Sequence, residues 1–204
     1  TDAAQQQQLM TIILEDVQRL DRLITDISDY SRLDAELNRE SMSPVDIGGH
    51  LKMLVDIQLA SREEEEGAPP RMRVHTAASA QDPKTALTAP GWEGRLVQVF
   101  QNLINNADSF ALPGTVIDIE IARRGAFVEV VVSDTGPGLP EGKLDAVFDR
   151  FYSERPASEK FGMHSGLGLS ISRQIVEAHG GTIGAANRRD ANGVVMGAQF
   201  TVRL

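Results

Sequence analysis

Two asparagines, Asn102 and Asn106, stand four residues apart in a largely apolar stretch of the chain, Glu93–Phe110. The stretch has the periodicity of a helix, which places both amides on one face and turns Asn105 away. An amide in an apolar helix is disfavoured unless it meets a partner, so a ligand or a metal ion is one interpretation. The alternative is an ordinary polar face or hydrogen bonds to neighbouring backbone.

A second segment, residues 134–140, begins with Asp134 at the end of a predicted strand and contains Gly136 and Gly138. A carboxylate at the end of a buried strand can accept a hydrogen bond from an amino group, and glycines let backbone approach a flat ring closely. This chemistry favours adenine, which carries an exocyclic amine, over guanine, which presents a carbonyl there. A plain Asp-Thr-Gly turn is the alternative.

The third segment, residues 165–170, opens a predicted helix with Gly166 and Gly168. Small residues with unpaired amides at a helix N-terminus form an anion site, where the helix dipole also favours phosphate. The sequence has neither a G-x-x-x-x-G-K-[ST] loop nor a G-x-G-x-x-G turn between a strand and a helix. Any nucleotide would therefore be held by a different arrangement.

Periodicity predicts the elements that must position these segments. An apolar stripe with alternating steps of three and four predicts one long helix over residues 5–38, which needs a partner to bury that stripe. Residues 41–44 break the pattern and predict a domain boundary. Beyond it we expect helices over residues 47–65, 93–110 and 167–179, and strands over residues 71–76, 84–88, 116–122, 127–133, 182–187 and 194–202.

A long stretch rich in Gly, Pro and charge, residues 136–165, lacks strand alternation and is typical of a functional lid or a disordered loop. The predicted order is not the strict strand-helix alternation of a doubly wound nucleotide-binding fold. We predict an α+β fold, a two-layer α/β sandwich with helices on one face of a mixed sheet, preceded by one long bundle helix.

The composition and charge of the chain narrow the range of possible binding partners. The net charge of -9 arises at the N-terminal end, because residues 1–66 carry fifteen Asp or Glu against six Lys or Arg, and residues 67–204 carry fourteen of each. Nucleic acid is therefore not the expected partner, since binding its backbone needs a basic face. The absence of cysteine excludes disulfides, thiolate zinc sites and cysteine nucleophiles. No apolar run approaches the roughly 18 residues that a membrane span requires.

The three segments, with Phe-Asp-Arg-Phe-Tyr at residues 148–152 between the last two, resemble the N, G1, F and G2 boxes of the GHKL superfamily. This superfamily comprises the gyrase, heat-shock chaperone, histidine kinase and mismatch-repair ATPases. The resemblance covers about residues 44–204. It implies the Bergerat type of ATP-binding fold, with ATP and Mg²⁺ as ligands.

The resemblance also implies roles for single residues. Asn106 would be the Mg²⁺ ligand, with triphosphate oxygens and water completing the octahedron, and Asp134 would accept from the adenine amine. Arg150 or Arg155 would neutralise phosphate charge. The implied nucleotide-binding residues are Asn102, Asn106, Asp134, Gly136, Gly138, Phe148, Phe151, Ser165, Gly166, Leu167 and Gly168.

Two positions depart from the superfamily's pattern. Its ATPases carry a water-activating Glu one turn before the magnesium Asn, where this chain has Asn102, whose amide has no useful basicity near neutral pH. We therefore expect slow hydrolysis and a phosphoryl group kept for a better nucleophile, with Asn102 and the two lid arginines as the catalytic set. Many relatives carry a Lys three residues after the magnesium Asn; Ser109 stands there in this chain.

Residues 1–43, with Arg-Leu-Asp at residues 32–34, are similar to the second helix of the dimerisation and phosphotransfer domain of two-component sensor histidine kinases. Residues 161–172 look most like those of envelope-sensing kinases of the ChvG/ExoS type. The resemblance implies a catalytic domain over residues 44–204, a homodimer through the N-terminal helix and a response regulator receiver domain as partner. It also implies that the chain is the cytoplasmic portion of a sensor kinase anchored in the inner membrane.

The four histidines, His50, His75, His164 and His179, all lie outside the long predicted helix. We interpret each as a surface residue, or His164 as a neighbour of phosphate, so the phosphoacceptor is not in this sequence. The chain is then expected to bind ATP without phosphorylating itself. A GHKL ATPase, or a non-catalytic fragment for dimerisation and regulator docking, is the alternative function.

Overall fold

The computed structural model describes residues 41–60, 69–77, 87–152 and 166–204, together with nine separate positions between residues 5 and 28. Those nine positions are helical, as the sequence predicts there, and the rest of residues 1–40 lies outside the described residues. No described helix has both the length and the apolar character needed to cross a membrane.

From residue 41 onward the described elements include two that were not predicted, a short first strand and a 3₁₀-helix. In chain order, the described elements are β1 (Ser43–Asp46), α1 (Ile47–Ala60), β2 (Arg71–Thr76), β3 (Thr88–Gly91), α2 (Glu93–Phe110), β4 (Val116–Arg124), β5 (Phe127–Ser133), a 3₁₀-helix (Ala146–Phe148), α3 (Gly168–Ala178), β6 (Thr182–Arg189) and β7 (Val195–Arg203).

One mixed sheet of five strands, in the order β2-β4-β5-β7-β6, forms one layer of the fold. β2 runs parallel to β4, and the other neighbours are antiparallel. Side chains alternate across β4, where Ile117, Ile119 and Ile121 are fully buried while Asp118 and Glu120 point to the opposite face. β1 and β3 pair separately as a small antiparallel sheet.

The helices pack on the apolar face of the five-stranded sheet and form the second layer. α2 buries six side chains completely, because its apolar residues recur at helical spacing: Leu96, Val99, Phe100, Leu103, Ile104 and Ala107. Burying each of the larger side chains stabilises the fold by about 1.5–3 kcal/mol. The predicted α+β sandwich is confirmed, and α2 runs through its centre.

Two element predictions need correction. The strand predicted at residues 84–88 overlaps the observed β3, Thr88–Gly91, by one residue, and residues 84–86 lie outside the described residues. Pro90 and Gly91 are turn-type residues, and they form a strand here because, among the described strands, β3 pairs with β1 alone, where Pro90 lies opposite Pro44. β1 was not predicted at all, since the same Pro44 indicates a break in the chain.

Candidate functional site

Asp134 follows β5 directly and is only 2% exposed. Its Oδ1 accepts hydrogen bonds from the backbone N–H of Gly136 at 2.8 Å and of Ala198 at 3.0 Å. Both of these hydrogen bonds are accepted by Oδ1, and no other described residue donates to Oδ2. The carboxylate is therefore held in one orientation with an acceptor left over, as the prediction for an amine-binding residue requires.

Burial raises the pKa of the Asp134 carboxyl above its ordinary value. The two backbone donors and the positive charge of Arg188 act in the opposite direction and limit that rise. Arg188 also donates from Nη1 to the backbone oxygen of Asp134 at 2.8 Å. A negative charge at this buried position is thus costly for folding and is compensated by donors placed around it.

The loop after Asp134 is packed tightly against β7 and β6. Gly138 has a φ of 78°, and a Cβ there would lie 2.4 Å from Val195 Cγ1. A Cβ at Gly197 would lie 2.1 Å from the backbone oxygen of Asp134. Gly138 was among the predicted site residues, whereas Gly197, far along the chain in β7, carries no sequence signal that relates it to Asp134.

Asn102 joins α2 to the first turn of α3. Its Nδ2 donates to the backbone oxygen of Gly168 at 3.1 Å and to Ser172 Oγ at 3.4 Å, while Ser172 Oγ donates to the same Gly168 oxygen at 2.8 Å. Two predicted site residues, Asn102 and Gly168, are therefore in contact. The Asn102 amide acts here as a donor, which a carboxylate at this position could not do.

Asn106 lies one turn further along the same face of α2 and is half-buried. No hydrogen bond joins its amide to another described residue, in contrast to the neighbouring Asn105, whose Oδ1 accepts from Gln101 at 2.8 Å. A half-buried amide without such a partner suits a ligand contact. Within the described residues no group of three or more His, Asp or Glu could hold a metal ion.

α2 connects these positions in three successive turns. Asn102 contacts Gly168, Asn106 follows, and Phe110 reaches Gly136, where a Cβ would lie 2.6 Å from the Phe110 backbone oxygen. Residues four apart lie on one face of a helix, and eight residues span about 12 Å. The loop of Asp134 and the start of α3 therefore lie at the two ends of one face of α2, with Asn106 between them.

Phe148 lies in the core, with 3% of its surface exposed. It meets Phe200 edge to face at 6.2 Å between ring centroids, and the Arg173 guanidinium lies 4.4 Å from its ring centroid. Arg173 also pairs with Asp145. Phe148 thus joins the middle of the predicted lid to α3, and a direct contact with nucleotide stays a prediction.

Phe151 and Gly166 meet on either side of residues 153–165, which lie outside the described residues. The Phe151 N–H donates to the Gly166 oxygen at 3.0 Å, and Phe151 is 65% exposed with a φ of 61°, a strained value for a residue other than glycine. Leu167 is buried and Arg150 is exposed. The predicted contacts of Arg155 and Ser165 lie outside the described residues.

Two histidines that were expected on the surface, His50 and His179, contact the start of α2 at Glu93 and Trp92. His179 Nδ1 donates to the Ile175 oxygen at 2.7 Å, and its Nε2 accepts from the Trp92 N–H at 3.0 Å, so burial and this neutral tautomer agree with a lowered pKa. Burial also acts to lower the pKa of His50, but the Asp46 oxygen and the Glu93 carboxylate outweigh it, and the pKa is raised.

An open concavity of about 380 Å³ lies at the other end of β5 from Asp134, lined by Arg124, Phe127, Glu129 and Arg203. The Glu129 carboxylate already pairs with Arg203 at 2.7 Å and Arg124 at 3.5 Å. None of the predicted site residues lines it. It is separate from the site along α2.

Comparison with known families agrees with this geometry. A sequence model of the family described as histidine kinase-, DNA gyrase B-, and HSP90-like ATPase matches residues 91–204, more than half of the chain. The chain belongs to this family, which confirms the superfamily that its four motifs resemble. The matched residues include all three segments singled out above.

The chain is 46% identical to Sensor protein ChvG of Agrobacterium fabrum strain C58 over 201 residues, which cover 97% of this chain and 33% of that protein. It is 43% identical to Sensor protein ChvG of Rhizobium meliloti strain 1021 over 198 residues, which cover 96% of this chain and 34% of that protein. The chain spans about a third of the length of these relatives. The resemblance to sensor kinases of the ChvG type is thereby confirmed.

The crystal structure of full-length ShkA in complex with AMPPNP is also similar to this chain. The TM-score is 0.71 at 25% sequence identity, over 98% of this chain and 38% of that chain. This similarity supports the fold described above.

Proposed function

We propose that the chain is the ATP-dependent catalytic region of a two-component sensor histidine kinase. It binds Mg-ATP and transfers the γ-phosphoryl group to a histidine on a dimerisation helix, for relay to an aspartate of a response regulator. The observation that carries this proposal is the alignment along α2, where Asn102, Asn106 and Phe110 join the start of α3 to the loop of Asp134.

At the base end, Asp134 Oδ2 accepts a hydrogen bond from the adenine amine. The orientation of the carboxylate is already set by Gly136 and Ala198, so little ordering is needed when the base binds. Guanine presents a carbonyl at the corresponding position, and a carboxylate opposite a carbonyl leaves two acceptors facing each other. The site therefore selects adenine nucleotides.

At the phosphate end, the Asn106 amide oxygen would be the protein's ligand for Mg²⁺, and phosphate oxygens and water would supply the other ligands, because Mg²⁺ seldom takes an all-protein cage. When bound, Mg²⁺ neutralises charge on the phosphates. Gly166 and Gly168 place backbone amides at the N-terminus of α3, where the dipole favours anions. Arg150 and Arg155 supply the positive charge of the lid.

Asn102 favours transfer over hydrolysis. Its amide donates to the Gly168 oxygen, so it is engaged as a structural donor and has no basicity with which to activate water. The phosphoryl group is kept for a histidine imidazole, which is a better nucleophile than unactivated water. The similarity to sensor proteins of the ChvG type and to the AMPPNP-bound ShkA supports this choice.

The N-terminal helix supplies the dimer contact of the proposed kinase. Its described apolar side chains are exposed in the single chain: Leu9, Met10, Ile13, Leu14, Val17 and Ile24. Residues 1–43 contain no histidine, so the acceptor must come from another polypeptide or segment. The proposed parent protein is a membrane-anchored sensor that docks a receiver domain against this helix.

The test is a transfer assay with a separately made acceptor-helix protein and ATP labelled in the γ position. We expect acid-labile label on the acceptor histidine, lost in Asp134→Asn and kept in Asp56→Asn, a control on the exposed face of α1. Steady phosphate release without label transfer would indicate an ATPase. Transfer by Asp134→Asn at the parent rate would contradict the assignment of the adenine contact.

A further inference from the structure

We infer that Asn187, on β6, is a positioning residue for base recognition: its side-chain amide clamps the loop that carries Asp134. The inference rests on the proposed function, since it concerns the same nucleotide site. Asn187 lies outside the four motifs and 53 positions beyond Asp134 in the sequence. Its role follows from geometry alone.

The clamp is a reciprocal pair of hydrogen bonds. The Leu139 N–H donates to Asn187 Oδ1 at 2.6 Å, and Asn187 Nδ2 donates to the Leu139 oxygen at 2.7 Å. The side-chain amide thus satisfies both the backbone N–H and the backbone oxygen of Leu139, as a neighbouring β-strand would. Among side chains only Asn and Gln carry a donor and an acceptor in this arrangement, and Gln is longer by one methylene.

The two ends of the loop are tied to a single position of the β6-β7 ladder. Asn187 pairs with Ala198 in that ladder. Ala198 holds Asp134, because its N–H donates to Asp134 Oδ1 and its oxygen accepts from the Asp134 N–H, both at 3.0 Å. Asn187, directly opposite, holds Leu139. The orientation of the Asp134 carboxylate is therefore linked to the Asn187 amide.

The loop residues between Asp134 and Leu139 would be mobile without the hydrogen bonds to Ala198 and Asn187. Gly136 and Gly138 give the loop more conformational freedom than other residues would. A Cβ at Gly138 would lie 2.7 Å from Asn187 Oδ1, which shows how closely the loop backbone approaches the clamp. Without the clamp, a base that bonds to Asp134 must order the loop as it binds, whereas a base that makes no such bond need not. The phosphate contacts proposed at Asn106 and Gly168 do not involve this loop.

The experiment compares binding of a non-hydrolysable ATP analogue with its inosine counterpart, which lacks the 6-amino group, by titration calorimetry with Mg²⁺. The parent chain should prefer the adenine analogue by at least about tenfold, since the inosine base presents a carbonyl where adenine has its amino donor. Asn187→Ala should reduce that preference about fivefold, equivalent to one net hydrogen bond. Asn187→Asp keeps the acceptor but loses the donor, so its preference for the adenine analogue should lie between those of the parent chain and Asn187→Ala.

Asn192→Ala is the matched control, because Asn192 lies in the exposed turn after β6 and should leave the preference unchanged. Hydrogen exchange at the Leu139 amide reports the clamp without nucleotide. We expect protection in the parent chain and in Asn192→Ala, and its loss in Asn187→Ala.

Equal weakening of both nucleotides in Asn187→Ala, or a lower melting temperature with an unchanged preference, would overturn the inference and leave Asn187 a structural residue. An unprotected Leu139 amide in the parent chain would overturn it as well. A parent chain without any preference for the adenine analogue would overturn the proposed function, and this inference with it. Failure of the two proposals is thus distinguishable.

Discussion

The two ends of the site, proposed to bind the base at Asp134 and the phosphates at Asn106 and Gly168, are built in opposite ways. At the base end, the loop of Asp134 is tied to two strands through Ala198 and Asn187. At the proposed phosphate end, Phe151 is exposed and has a strained φ, and its N–H donates to the Gly166 oxygen. Under the proposed function, base selection would therefore depend on contacts that are present without ligand, whereas phosphate binding would depend on the metal and the nucleotide.

The largest effect is expected from Asp134→Asn, which replaces the carboxylate at the base end. Affinity for ATP should fall about 100-fold, close to the 1.5–3 kcal/mol of a hydrogen bond to a charged group. The melting temperature without nucleotide should rise. Because its pKa is raised in the folded state, the Asp134 carboxyl contributes stability below its ordinary pKa, where it is protonated. That contribution is lost as pH rises through the folded-state pKa. The ionised group therefore destabilises the folded protein at neutral pH.

Titration calorimetry and thermal unfolding of the same samples check both halves of this prediction. Asp56→Asn, on the exposed face of α1, is the control and should change neither quantity. If Asp134→Asn binds ATP with the parent affinity, the proposed contact between Asp134 and the adenine base is wrong. A variant that melts earlier would show that the carboxylate stabilises the apo fold.

The next effect concerns the tie between α2 and α3. Asn102→Asp keeps the size of the side chain but places a carboxylate oxygen against the Gly168 oxygen, 3.1 Å from the present amide nitrogen. We expect the free energy of unfolding to fall by about 1–3 kcal/mol, as for a buried acceptor left unsatisfied. Urea unfolding measures it. Asn102→Ala, which lacks the repulsion, should lower the free energy of unfolding by less than Asn102→Asp. A larger loss in Asn102→Ala would show that the amide is important for packing and not as a donor.

Asn106→Ala should sharpen the comparison at the phosphate end. Affinity for ATP should fall about tenfold with Mg²⁺ present, since one metal ligand is lost, and should change little in excess chelator. Calorimetry under both conditions makes the measurement. Asn105→Ala, which removes an amide bonded to Gln101, is the matched control. The same loss with and without metal would show that Asn106 contacts the nucleotide directly.

The smallest effects are expected at the two histidines beside the start of α2. His179 has a lowered pKa, so its contribution to stability is present above its ordinary pKa of 6.5 and is lost as pH falls below that value. His50 has a raised pKa, so its contribution is present below 6.5 and is lost as pH rises through its folded-state pKa. Unfolding free energies of His50→Gln and His179→Gln from about pH 5 to about pH 8 should therefore differ from the parent at opposite ends of the range. Parallel profiles for the two variants would contradict this.

Local patterns were enough to predict the elements that build the site. α2 was predicted with its observed bounds because its apolar periodicity is uninterrupted, and β5 because its apolar run ends at Asp134. Asn187, Arg188 and His179 could not be found in this way. Each acts through one contact with a distant part of the chain, and nothing in the residues around it distinguishes it from a surface residue.

The most direct test of the account is a set of amide spectra recorded with the ATP analogue, first with Mg²⁺ and then with paramagnetic Mn²⁺ in its place. A single site along α2 predicts shifted signals at Asp134 and Gly136, and signals broadened by Mn²⁺ at Asn106 and Gly168. Shifts around the concavity of Arg124, Phe127 and Arg203, or broadening far from Asn106, would contradict it.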